Sequence, residues 1–71
     1  MQHNTLPDDL LLSRPQVELN FGISRRFLEI AAVRGNGPSY HKIGSSVRYR
    51  VADLRQWIEA QRVNSTSDVR A

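Results

Sequence analysis

The stretch FGISRRFLEIAAVRGNGP, residues 21–38, decides how this chain folds. Gly22 and Ile23 make a corner, and Ser24 stands where a hydroxyl can accept an otherwise unpaired backbone N–H, so a helix is expected from Arg25 to about Arg34. Within it Phe27, Leu28 and Ala31 repeat at the spacing of an inward stripe, with Ala32 beside them, while Arg25, Arg26 and Glu29 fall on the other side. Gly35, Asn36, Gly37 and Pro38 end the helix, because proline interrupts the hydrogen-bond ladder. Just upstream, Ser13, Arg14, Pro15 and Gln16 have the order of a capping box, and Pro15 in the first turn gives up no intrahelical bond. Val17 and Phe21, four apart, share a face, so a first short helix ends near Asn20 or Phe21 at Gly22. Two short helices joined by a tight turn make a helix-turn-helix unit, whose second helix is the one that enters a DNA major groove. The alternative is an ordinary corner between two helices.

Downstream, residues 40–43 and 47–50 read as two strands around a three-residue loop of Gly44, Ser45 and Ser46. Ile43, Val47 and Tyr49 are expected on the inward face, with Lys42, Arg48 and Arg50 outward. A two-stranded ribbon is marginal alone, and the next segment supplies its backing: Val51, Leu54, Trp57 and Ile58 recur at helical spacing. Asp53 sits near the positive end of that helix, Arg55 and Glu59 form an i,i+4 charge pair, and Trp57 is a core anchor. Upstream of the first helix, Leu10, Leu11 and Leu12 form an apolar run readable as a strand or an extended arm. The fold class expected is mainly α with a short antiparallel β-hairpin, a winged helix-turn-helix. One domain is expected over residues 10–62, with residues 1–9 and 63–71 as flexible termini.

Composition narrows the function. Seventy-one residues suffice for one small domain with a marginal core. The absence of cysteine excludes disulfides and cysteine-ligated metal or iron-sulfur sites. No apolar run approaches a membrane span and no secretory signal is recognisable, so no membrane role and a cytoplasmic protein are expected. The net charge is +3, unevenly spread. Asp8, Asp9 and Glu18 against Arg14 leave residues 1–23 at −2, whereas Arg25, Arg26, Arg34, Lys42, Arg48 and Arg50 against Glu29 bring residues 24–50 to +5. Such a basic middle is the footprint of a polyanion partner or a solvated basic face.

Enzyme chemistry has little support. Ser24, Ser45 and Ser46 lack a positioned base, His3 and His41 lie apart, and Gly35, Gly37 and Gly44 are turn residues without a phosphate-loop pattern. No catalytic residue, cofactor or metal site is expected. The groups suited to double-stranded DNA are Ser24, Arg25, Arg26 and Glu29 on the second helix, and Lys42, Ser45, Ser46, Arg48 and Arg50 on the hairpin. Arg25 or Arg26 can reach guanine N7 and O6, or phosphate instead, with Arg26 preferred over Glu29 as a contact. Ser24 can meet phosphate as well as cap. Glu29 can accept from cytosine N4 or pair with Arg25. The hairpin cations suit minor-groove or phosphate contact, the alternative being an edge strand protected by charge.

The combination of Gly22-Ile23-Ser24, Gly37-Pro38, Lys42-Ile43-Gly44, Val47-Arg48-Tyr49, Asp53-Leu54 and Trp57-Ile58 resembles the excisionase-like, MerR-type winged-helix DNA-binding family over about residues 11–58. The resemblance implies that Ser24, Arg25 and Arg26 lie at the contacting end of a recognition helix. It implies further that Lys42, Ser45, Ser46 and Arg48 belong to the wing, and that Leu54, Trp57 and Ile58 belong to a scaffold helix. The chain departs from the common pattern at Phe27, Glu29 and Ile30, and at Ala52, which weakens the cap of the last helix. Family members include recombination directionality factors and phage or plasmid transcription regulators. The implied activity is binding and bending of duplex DNA, as an excisionase assisting a tyrosine or serine integrase, with cooperative self-association on adjacent sites and a location on bacterial or phage DNA. The chain is too short for the dimerisation helix and effector domain of a full MerR regulator. A transcription regulator is the alternative of the same class, and a protein-interaction adaptor holding an acidic partner the alternative of another.

Overall fold

A computed structural model describes residues 5–63. Its elements run β1 (Leu11–Leu12), α1 (Arg14–Phe21), α2 (Arg25–Arg34), β2 (His41–Ile43), β3 (Ser46–Arg50) and α3 (Val51–Ala60). The described residues thus form a small mixed α/β domain of three helices and a three-stranded antiparallel sheet, coarsely consistent with a winged-helix arrangement.

Local chemistry sets the first two helices. The Ser13 hydroxyl accepts the Gln16 N–H and the Gln16 side chain accepts the Ser13 N–H at 2.9 Å, so the reciprocal box closes. The Ser24 hydroxyl likewise accepts the Phe27 N–H at 3.0 Å. The helices stop at Gly22 and Gly35, each capping with its own N–H on a carbonyl of the last turn.

The sheet differs from the expected hairpin in two ways. The Leu11–Leu12 run is a third strand, and the order β1-β3-β2 places β3 in the centre. The hairpin loop also has two residues rather than three, because Ile43 pairs with Ser46. Gly44 has φ 64° and no other residue of the loop is left-handed, the sign pattern of a type II′ turn that requires glycine at its first central position. Losing one loop residue shifts β2 by one place, and a one-place shift turns every side chain over. Lys42 therefore pairs with Val47 on the core side, and Ile43 joins Ser46 on the outer side. Ile43 is 55% exposed, contrary to the inward position expected of it.

The core lies between the sheet's inner face and the helices. Leu12, Val17, Leu28, Tyr49, Val51 and Leu54 are buried together, with Leu6, Phe21, Ile23 and Val47 packed around them. Each such side chain contributes roughly 1.5–3 kcal/mol by leaving water. On α2 the buried residues are Leu28 and Ala31, while Phe27 is 44% exposed and half-buried Trp57 meets its ring at 6.0 Å. Both aromatics thus form a seam at the core's edge rather than anchors within it.

The last helix is capped from a distance. Its N-cap, Arg50, makes no side-chain capping bond. Instead the Val51 N–H donates to the Leu10 carbonyl at 3.0 Å and the Ala52 N–H to the Asp8 carbonyl at 2.9 Å. Arg55 binds the Asp8 carboxylate and donates to the Leu6 carbonyl at 3.1 Å, and Glu59 pairs with Arg62, so the expected Arg55–Glu59 pair is replaced by two others. Residues 6–9, expected to belong to a flexible terminus, form together with Leu10 a strap across the start of α3. Residues 1–4 and 64–71, included in the expected flexible termini, lie outside the described residues.

Candidate nucleic-acid interface

At 100° per residue, α2 presents three exposed sectors around its buried Leu28 and Ala31. Phe27, Ile30 and Arg34 face towards the α3 side, where Phe27 meets Trp57. Arg26 and Val33 point away from the core, and Val33 is 88% exposed. Arg25 and Glu29 lie on the third sector, together lining a cleft with the hairpin.

That cleft, of about 330 Å³, is bounded by Ser13, Arg14 and Pro15 of the α1 start, Arg25 and Glu29 of α2, and Ser45, Val47 and Arg48 of the hairpin. Its three arginines are each held by one bond. The Arg25 Nε donates to Glu18 Oε1 at 3.1 Å, bracing α2 against α1. The Arg48 guanidinium donates to the Val47 carbonyl at 2.8 Å. The Arg14 Nε donates to the Tyr49 hydroxyl at 3.1 Å, and its guanidinium carbon lies 6.0 Å from the centre of that ring.

The residues chosen from sequence are therefore only partly brought together. Ser24 is at the helix start with its oxygen engaged by the Phe27 N–H, leaving the hydroxyl hydrogen free to donate. Arg25 pairs with Glu18 instead of Glu29, and Glu29 has no ion-pair partner among the described residues. Arg26 is exposed and forms no ion pair among them. On the hairpin, Ser45 and Arg48 reach the cleft. Ser46, expected in the loop, is the first residue of β3. Lys42 and Arg50 instead line a separate hollow of about 400 Å³ with Asp9, Leu11, His41 and Ile43. Lys42, expected on the same side as Arg48 and Arg50, belongs by register to the opposite side of the ribbon.

The sequence pattern does not single out Arg14 as a DNA contact, since it lies in a segment of net negative charge. A signal was present: a cation in the first turn of α1 opposes the positive end of the helix dipole, and no acidic residue in that turn offsets it. A local conflict of this kind marks a residue placed for another reason. Among the described residues no group of three or more His, Cys, Asp or Glu side chains could hold a metal ion, and no helix is long and apolar enough to cross a membrane. No family model matches the sequence, and no curated protein matches it.

Proposed function

We propose that this protein binds double-stranded DNA, with α2 entering the major groove and the Gly44-Ser45 turn reaching the adjacent minor groove or its phosphates. The observation that carries the reading is the disposition of α2. Its N-terminal turn presents Arg26 outward with no ion pair among the described residues, while the next sector faces the hairpin across an arginine-lined cleft. An α-helix fits the major groove, and an arginine at its first turn can bond guanine N7 and O6 in bidentate fashion. Arg26 suits that role. Arg25, braced by Glu18, suits a phosphate.

The biological use we propose is that of an excisionase, a recombination directionality factor that bends DNA for a tyrosine or serine integrase and binds cooperatively on adjacent sites. Bending costs about 1–6 kcal/mol and is offset by the contacts it permits. Selection from a random duplex pool, followed by electrophoresis of permuted fragments, tests binding and bending together. An enriched motif with position-dependent mobility is the expected result. Absence of enrichment would reject sequence-specific binding. Excision assayed with an integrase on the selected sites then separates a directionality factor from a transcription regulator, which binds an operator without changing recombination. Arg26→Gln should cost about 1–3 kcal/mol at one base pair and relax preference there. Reversing the charge of Arg26 and Arg48 separates an adaptor: loss of an acidic protein partner with unchanged DNA affinity would favour that function instead.

A further inference from the structure

If α2 occupies one groove and the Gly44-Ser45 turn the next, the sugar-phosphate strand between those grooves must cross the cleft that separates them. We propose that this cleft seats one backbone phosphodiester and that Arg14, at the start of α1, is a principal cation of the seat. This inference rests on the duplex-binding reading and adds to it a residue, an element and a ligand group.

Charge and construction both support the seat. Arg14, Arg25 and Arg48 converge on the cleft from three different elements, against the single carboxylate of Glu29. Arg25 is ion-paired with Glu18, whereas Arg14 and Arg48 have no carboxylate partner among the described residues. An excess of positive charge lines this open recess, and an anion would relieve it. A guanidinium carries five N–H donors in a fixed fork. Arg14 commits its Nε to Tyr49 and keeps both terminal nitrogens for a ligand. The side chain is half-buried, and Tyr49 beneath it is 1% exposed. Its position is thus set by the core before any ligand arrives, which reduces the ordering cost of binding. The hydroxyl of Ser45 at the rim adds a neutral donor. Such a contact fixes the placement of the protein on the duplex and carries no sequence information.

Salt dependence counts phosphate contacts, so it is the appropriate readout. The full chain and its Arg14→Gln and Arg14→Lys variants are titrated by fluorescence anisotropy against a labelled random-sequence duplex over a sodium chloride series, with thermal denaturation of each variant. Arg14→Gln is expected to weaken binding several-fold and to lower the slope of log affinity against log salt by about one. Arg14→Lys should restore the slope, because the charge returns, while recovering only part of the affinity, because the fork does not. Inorganic phosphate, added as a competitor at constant ionic strength, should compete with the parent more than with Arg14→Gln. An unchanged slope in Arg14→Gln overturns the seat while leaving duplex binding intact. Equal losses in both variants, accompanied by lowered melting temperatures, overturn it in favour of a purely structural Arg14. Failure of the parent chain to bind any duplex overturns the functional reading and this inference with it. Phosphate binding that depends on Arg14 but does not compete with duplex identifies a free anion as the ligand and overturns the backbone assignment.

Discussion

Gly37 shows how closely α2 is packed at its C-terminal end. A Cβ built on it would stand 2.6 Å from the Ala31 Cβ, well inside contact distance, and Ala31 is buried on a helix that cannot easily give way. Gly37→Ala should therefore lower stability by about 1–3 kcal/mol, measured by urea denaturation. An unchanged midpoint would show that the segment after α2 moves freely. The same proximity explains why the GNGP sequence does more than stop a helix: it folds the chain back so that Pro38 is buried behind Ala31. Residue-scale features of this kind are legible when their partners are close in sequence. Ser13, Ser24 and the ends of α1 and α2 were readable for that reason, since each cap lies three residues from the group it satisfies. The Arg25–Glu18 and Arg14–Tyr49 bonds were not, because each joins two elements whose relative placement the local pattern leaves open.

At the scale of elements, the hairpin and the strap depart furthest from the sequence pattern. The residues Tyr40, His41, Lys42 and Ile43 admit either face of β2 as the inner one, so only the loop length decides between them. A loop of three residues would turn Ile43 inward and Lys42 outward, whereas the two-residue loop does the reverse. Tyr40 then takes the inner side, where its ring meets Tyr49 at 5.7 Å. The cap of α3 has no local signature at all. The weak cap expected from Ala52 is misplaced, because Ala52 is the second residue of α3 and the N-cap is Arg50, which makes no side-chain capping bond; carbonyls from residues 8 and 10 accept the first N–H groups instead. Removal of residues 1–9 should consequently cost about 1–3 kcal/mol through the lost carbonyl and Arg55 contacts, with a further loss from Leu6. Amide exchange at Ala52 should quicken in the shortened chain. Equal unfolding midpoints for the full and shortened chains would refute the capping role of the strap.

At the scale of the whole molecule, the core of the described residues centres on Tyr49. It sits on the central strand, 1% exposed, pairs across the sheet with Leu12, meets the ring of Tyr40 and takes a hydrogen bond from Arg14. Truncating a buried aromatic costs about 3–5 kcal/mol, comparable with the whole stability of a domain this small. Tyr49→Ala should thus abolish cooperative unfolding, whereas Tyr49→Phe, which loses only the hydroxyl, should cost about 0.5–1.5 kcal/mol. Circular dichroism during heating distinguishes the two, and a cooperative transition in Tyr49→Ala would show that the core is not centred there. The three helices and the pairing of β2 with β3 are legible in the sequence because helix periods and breaks recur clearly along it. What the period could not supply was the third strand, since Leu10, Leu11 and Leu12 make a run too short to distinguish a strand from an arm. The strap has a consequence for the order in which the chain can assemble. Arg55 and Asp8 are 47 residues apart, and closing so long a loop is entropically expensive until other contacts have shortened it. During synthesis, residues 6–10 must wait until α3 has been made before they find their partners. The hairpin lies inside that loop, so its final docking and the completion of α3 should appear as a single kinetic event.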